Sequence, residues 1–431
     1  MRLTNELCRR NMVRVWKKAW KKYGSFTEYP VKISRDRLNQ GIEIVDPSKS
    51  QELPKVTWTP PVEDDPRLWR PIPMEEQINY HDEPTHLVTP KTRLLKGVQQ
   101  ASILAKAHQI NGFPSNVENL VGAVEIPNQD NLVQRYVMQS QVWDPTRDKL
   151  PKRIDTRKVG WHFQAAYGIK NEKSSTILLR NMIRLCQSLA GRYPSIATDR
   201  RLLYKPYIGT HYFHEDNMVS VQGLYEYLIS GQKGLNPFAN EDEVDATVME
   251  RLADISPISP LIDLSPTSCY SMDTITHLKK PHSHGVPQTL FMLNKNYWST
   301  DQRQARSLLF CLASALSQAR KLYGIDVKQL PEPVSVQCVN MDPTTINFIF
   351  FQLNTADFKS RDGVKNMAWF SGDHHLFKKE LSQPWLGEEY EKTKYIDYEA
   401  DVFKRFLAVF LNGLPGIHSD EIQSEVNAAR S

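Results

Sequence analysis

The 431-residue sequence predicts an α+β fold: mainly antiparallel sheet hairpins packed with amphipathic helices, preceded by an extended Pro-rich N-terminal arm. Three observations carry that prediction. Apolar side chains recur at helical spacing between 299 and 323. Two β-branched and aromatic runs follow at once, on either side of a Pro-containing turn. Residues 25–90 hold ten prolines and little periodicity. The organisation read from these is a basic amphipathic segment at 1–24, an arm at 25–90 and a single α+β body at 91–431.

Residues 1–24 place Met12, Trp16, Ala19, Trp20 and Tyr23 on one helical face and Arg14, Lys17, Lys18, Lys21 and Lys22 on the other. Eight basic residues against one Glu is the composition of a mitochondrial transit peptide. A basic arm gripping nucleic acid and a membrane-surface helix are the rival readings. In the arm, Trp58, Trp69, Ile72, Ile78 and Tyr80 interleave with the prolines. That is too aromatic for a purely disordered linker, so the arm reads as extended chain laid along a surface.

A helix is expected over 92–110, with Leu94, Leu95, Val98, Ala101, Ile103, Leu104 and Ala107 as its apolar face and Gly112-Phe-Pro as its stop. Residues 145–158 form a basic loop. The next helix starts at Ser174 or Ser175 and buries Leu178, Leu179, Met182, Ile183, Cys186 and Leu189. Residues 203–229 read as a hairpin turning at Glu215-Asp-Asn. Asn240 with Glu243 resembles a capping box for a helix to about Asp254.

The central helix opens on Ser299 and Thr300 as caps, with Asp301 in the first turn where the helix dipole is positive. Ala305, Leu308, Leu309, Leu312, Leu316, Ala319 and Tyr323 draw its apolar stripe. Arg303, Ser307, Ser314 and Lys321 are expected on a polar far side, which Phe310 interrupts. Gly324 suits the left-handed residue that ends a helix. The hairpin joins runs beginning at Val334 and Ile346 through Asp342-Pro-Thr-Thr. A last helix, 399–412, carries Val402, Phe403, Phe406, Leu407, Phe410 and Leu411 and stops at Gly413. Helix then hairpin thus occurs at 175–229 and at 299–354, without shared residues.

Chemistry is sparse. The five cysteines are scattered without a Cys-x-x-Cys pair, against a disulfide framework and a structural zinc site. Cys311 and Cys338, inside predicted elements, read as small buried hydrophobes. His211 and His214 fall on a predicted strand, where a spacing of three sends them to opposite faces. His282, His284 and Cys269 lack a regularly spaced fourth ligand, and His374-His375 reads as a solvated loop. Asp263 reads as a turn or cap residue. No nucleophile elbow, phosphate loop or dinucleotide fingerprint is present. No apolar run is long enough to span a bilayer. These observations give no catalytic residue, no cofactor, no metal and no membrane partner.

Charge is more informative. The chain is +5 overall, yet 1–24 carries +7 and 143–205 carries +9, leaving −11 for the rest. A near-neutral body with two basic zones is not a uniformly basic RNA-coating protein. The second zone holds the candidates for phosphate contact: Arg147, Lys149, Lys152, Arg153, Arg157 and Lys158 in the loop, then Lys173, Arg180 and Arg184 leaving one helix face together. No base-reading module accompanies them, so such contacts go to phosphates and sugars.

Five stretches, in one order along the chain, are together similar to one family. They are Leu94-Leu-Lys-Gly-Val-Gln-Gln-Ala101, Pro257-Ile-Ser-Pro-Leu-Ile-Asp263, Ala315-Leu-Ser-Gln-Ala-Arg-Lys-Leu-Tyr-Gly324, Phe351-Gln-Leu-Asn-Thr355 and Gly363-Val-Lys-Asn-Met-Ala-Trp369. They resemble the mitochondrial large-subunit ribosomal protein L thirty-seven. The resemblance implies a non-enzymatic component of the mitochondrial large ribosomal subunit, in the matrix, active in mitochondrial translation. It implies contacts with large-subunit ribosomal RNA and with neighbouring proteins, including the paralogue programmed cell death protein nine, formerly the small-subunit protein S thirty. Taken alone, the residues leave two alternatives open. One is a mitochondrial matrix enzyme with a metal or cofactor site, and the other is a free RNA-binding regulator.

Overall fold

The computed structural model describes residues 35–41, 72–142, 148–150, 167–258, 264–278, 282–294, 298–380 and 394–415. The chain divides into two units, 1–71 and 72–431. In the first, helix α1 (Arg35–Asn39) is the described element; the amphipathic segment 1–24 and most of the arm lie outside the described residues. The second unit runs β1 (Tyr80–Val88), α2 (Gly97–Leu104), β2 (Ala107–Asn111), α3 (Gln129–Val142), β3 (Asp148–Lys149), β4 (Tyr167–Gly168), α4 (Asn171–Gln187) and β5 (Arg200–Tyr204). It continues through β6 (Tyr207–His214), β7 (Asn217–Leu224), β8 (Tyr227–Gly231), α5 (Glu241–Ala246), β9 (Ser265–Cys269), β10 (Val286–Leu293) and α6 (Thr300–Tyr323). Strands β11 (Gln329–Met341), β12 (Thr345–Thr355), β13 (Asn366–Phe370) and β14 (His374–His375) precede α7 (Ala400–Leu411).

The large sheet has the order β2-β13-β12-β11-β10-β8-β5, with β14 added on β12. Its β10–β11 and β2–β13 pairs are parallel and the others antiparallel. Side chains alternate between two cores, as the period of two along a strand requires. Leu290, Met292, Val336, Cys338, Ile349, Phe351 and Leu353 face α6. Phe291, Leu293, Val339, Met341, Phe348 and Phe350 face the opposite core, which α3, α4 and α7 supply. Covered on both faces, the central strands read as near-continuous apolar runs.

A second, four-stranded sheet, β6-β7-β1-β9, closes the far side of α6. Its strand β1 takes the last residues of the Pro-rich stretch and runs parallel to β7 and antiparallel to β9. Helix α6 is therefore buried from Arg303 to Ala319 on every side. This corrects the expected polar face: of Arg303, Ser307, Ser314 and Lys321, only Lys321 is exposed. Serine tolerates this burial because it is small and can bond its own helix; Ser307 donates to the Arg303 carbonyl at 3.1 Å. Phe310 meets Tyr225 edge-on at 6.3 Å, the second contact its position demanded.

Arg303 ties the start of α6 to the sheet. It donates to Asp342 in the β11–β12 turn at 2.6 Å and to Asp373 at 3.1 Å. Asn347 donates to the other Asp373 oxygen at 2.9 Å. The cluster joins the head of α6 to the β11–β12 turn and to the segment after β13 through a nearly buried guanidinium and two partly exposed carboxylates.

Other boundaries move. The helix expected over 92–110 is α2, ended by Lys106 in the left-handed region at φ 47°, after which 107–111 pairs as an edge strand. Helix α4 starts at Asn171, three residues before Ser174, and both Ser174 and Ser175 lie buried in it. The 203–229 stretch makes β6 and β7, turning at Glu215 with φ 54°, but Tyr227 then passes into the large sheet. The Asn240–Glu243 capping box forms, although its helix α5 ends at Ala246. Gly324 and Gly413 end α6 and α7 at φ 96° and 83°. Strand β10, helix α3 and strand β9 went unread. His374 is not in a solvated loop: it pairs opposite Ile346 and lies against the Phe348 ring at 5.7 Å.

Candidate nucleic-acid interface

Helix α4 is amphipathic by sequence and so has one face to bury. Leu178, Leu179, Met182, Ile183, Leu185 and Cys186 are buried beside Val133 and Val137 of α3. Gln141 on α3 donates to Ser174, fixing the helix pair. Lys173, Arg180 and Arg184 emerge together on the exposed side. Their spacing of seven and four returns each to the same face, over about 16 Å of helix. Arg180 and Arg184 have no carboxylate in ion-pair range among the described residues.

Lys149 is exposed on β3, which pairs with β4 immediately before α4. Lys170, at the head of α4, bonds back to Asp148 at 3.3 Å. The structure thus brings Lys149 to the N-terminal end of the helix carrying the other three. Arg147, Lys152, Arg153, Arg157 and Lys158 lie outside the described residues.

Edge strand β5 and its partner β8 adjoin this face, and sequence reasoning did not single them out. Arg180 and Arg184 lie near enough to Tyr227 on β8 to pull its hydroxyl down, against the stronger upward push of burial. Tyr204 and Tyr227 are ring neighbours at 5.3 Å. Tyr204 is 60% exposed, and the Lys205 ammonium lies 5.2 Å from its ring centre. A hydrogen bond to Tyr204, helped by Glu226 and Glu172, holds Lys205 above the usual lysine range. Arg201 is exposed on the same strand but, an odd number of residues from Tyr204, points to the other face of the sheet. The only sequence signal was that Arg201 and Lys205 fall inside the +9 zone.

Burial pushes His211 and His214 on β6 down to about 4, leaving both rings neutral at physiological pH. His284 engages the Thr198 carbonyl at 2.8 Å, and the Cys269 thiol reaches the Met74 carbonyl at 3.7 Å. Burial raises the Cys186 and Cys311 thiols, as inert core cysteines require. Among the described residues no three His, Cys, Asp or Glu side chains converge as metal ligands. Asp263 lies outside the described residues.

No family model matches the chain. It is 32% identical over 358 residues to the large ribosomal subunit protein mL37 of Rattus norvegicus, across 81% of this chain and 80% of the relative. The chain belongs to the mL37 family. The mL37 proteins of Mus musculus, at 32% over 359 residues, and Gallus gallus, at 31% over 333, are similar to it as well. The latter alignment covers 75% of this chain and 73% of the relative.

The described residues of the stretches that resemble mL37 fall on the scaffold around α6, not on the basic face. Gln100 of the first stretch donates to the Pro257 carbonyl of the second at 2.9 Å. Asn366 of the fifth accepts from the Asn354 and Thr355 amides of the fourth at 2.8 and 3.0 Å, and donates to the Ala105 carbonyl at 2.9 Å. Gln352 accepts from the Phe238 and Ala239 amides. These side chains satisfy buried backbone groups between elements, which an apolar substitute leaves unpaired.

Proposed function

We propose that this protein is a structural, non-enzymatic component of the mitochondrial large ribosomal subunit and contacts ribosomal RNA through the exposed face of α4. The observation that carries the reading is the alignment with mL37 over four-fifths of both chains. Family membership makes this a protein of the mitochondrial large subunit, resident in the matrix. Phosphate contact along Lys149, Lys173, Arg180 and Arg184 is supported by their exposure on one side of the body, and by a chain that is otherwise acidic. The loop residues Arg147, Lys152, Arg153, Arg157 and Lys158 belong to the same proposal. The remaining acidic surface suits neighbouring proteins, the paralogue programmed cell death protein nine among them.

Phosphate contacts are individually replaceable, so three must be reversed together. Lys173→Glu, Arg180→Glu and Arg184→Glu combined should leave the fold intact, because all three are exposed. The variant should leave the large subunit at lower salt than wild type, with a salt dependence of release reduced by about one per lost contact. An unchanged release threshold would move the RNA contact elsewhere.

Residues 1–24 we assign as the import signal, from their opposed apolar and basic faces. A reporter carrying residues 1–40 should enter mitochondria; a diffuse cytosolic reporter would refute the assignment.

A further inference from the structure

We infer that the surface formed by α4 and edge strand β5 receives an unpaired stretch of RNA, with Tyr204 stacking on a splayed-out base. The inference rests on the proposed RNA contact of α4 and specifies its ligand. Tyr204 is a large ring left 60% exposed among cations. The nearly buried Tyr227 ring, tilted 45° to it, sets its position from below. Lys205, in the left-handed region at φ 46°, turns the chain back after β5 and sets its ammonium over the Tyr204 ring, 5.2 Å from its centre. Arg180 and Arg184 beside Tyr227, and Lys205 beside Tyr204, outnumber the carboxylates Glu172 and Glu226 next to the pair.

This arrangement discriminates between RNA forms. A duplex offers phosphates and 2′-hydroxyls, but its base faces are stacked away, so a tyrosine adds nothing there. Single-stranded RNA offers both phosphates and base faces, and stacking tolerates any base because each has a π-face. An exposed aromatic within a cationic surface therefore matches loops, bulges and ends. Arg180 and Arg184, with no carboxylate in ion-pair range among the described residues, favour a polyanion over an ordinary protein surface.

The test is binding of the full-length protein to fluorescent single-stranded oligouridine and to an RNA duplex of equal length, at one fixed salt concentration. Wild type should prefer the single strand. Tyr204→Leu, which keeps the bulk at an exposed position, should weaken single-strand binding roughly 5- to 150-fold and leave duplex binding unchanged. Tyr204→Phe should retain the preference. Arg180→Glu with Arg184→Glu should weaken both ligands and flatten their salt dependence. Equal melting temperatures would establish that the variants are folded. Loss on charge reversal with no effect of Tyr204→Leu overturns the stacking proposal while the phosphate contact stands. No effect of either change overturns both. Displacement of oligouridine by polyglutamate at equal charge concentration would assign the surface to an acidic peptide and also overturn the proposal.

Discussion

Leu312→Asp is expected to remove the protein from the soluble fraction and from the ribosomal particle. Leu312 lies midway along α6 with no exposure, between the large sheet on one side and α2 with the small sheet on the other. A carboxylate there has no counter-charge and no water. Burying an unpaired charge costs several kcal/mol after relaxation, against a total of roughly 5–15 kcal/mol for a domain. Leu312→Ala separates charge from volume: it should cost about 2–5 kcal/mol and leave a foldable protein with a lowered melting temperature. Soluble yield and a thermal melt of both variants decide the matter. A Leu312→Asp protein that melts like wild type would mean that the helix is not enclosed.

Gly97→Val should be nearly as damaging, for a reason that exposure does not show. Gly97 opens α2 at φ 56°, the left-handed region where β-branched residues are strained. A Cβ there would lie 1.5 Å from Oδ2 of Asp301, which accepts the Val98 amide through Oδ1 at 3.1 Å. One carboxylate in the first turn of α6 thus caps the start of α2. A side chain at 97 must expel that carboxylate, so strain and cap loss add to about 2–4 kcal/mol. Chemical denaturation should show the midpoint falling accordingly. The two effects separate in a cycle: Gly97→Ala should cost less in an Asp301→Ala background, since the clash is gone and only the strain remains. Equal costs in both backgrounds would contradict the contact.

What was legible follows from how local each signal was. The start and stop of α6 lay in Ser299 and Gly324, which act within one turn: Ser299 caps the helix, in a capping box that Gln302 completes in the structure, and Gly324 takes φ 96°. The β11–β12 hairpin and α7 were equally local. Strand β2 was hidden because Ala105, Lys106 and Ala107 continue the helical rhythm. The break comes at Lys106, which reaches φ 47° with its ammonium on the Asp357 carbonyl, a contact 251 residues away. Ser307 and Ser314 looked solvent-facing because serine is polar. Only the second sheet, assembled from strands distant in sequence, explains their burial.

The interface divides the same way. Lys173, Arg180 and Arg184 share a face by helical arithmetic alone. Tyr204 and Lys205 join them because β5 lies at the edge of the sheet beside α4, a placement no local rule provides.

The central claim, that this chain is a component of the mitochondrial large ribosomal subunit, is tested most directly by sedimentation of the native protein from mitochondrial lysate through a sucrose gradient. At low salt the protein should travel entirely with the large subunit, and mild salt that keeps the particle whole should not release it. A peak at monomer size at low salt would contradict the claim in favour of a matrix enzyme, and release to the top of the gradient by mild salt would contradict it in favour of a free RNA-binding regulator.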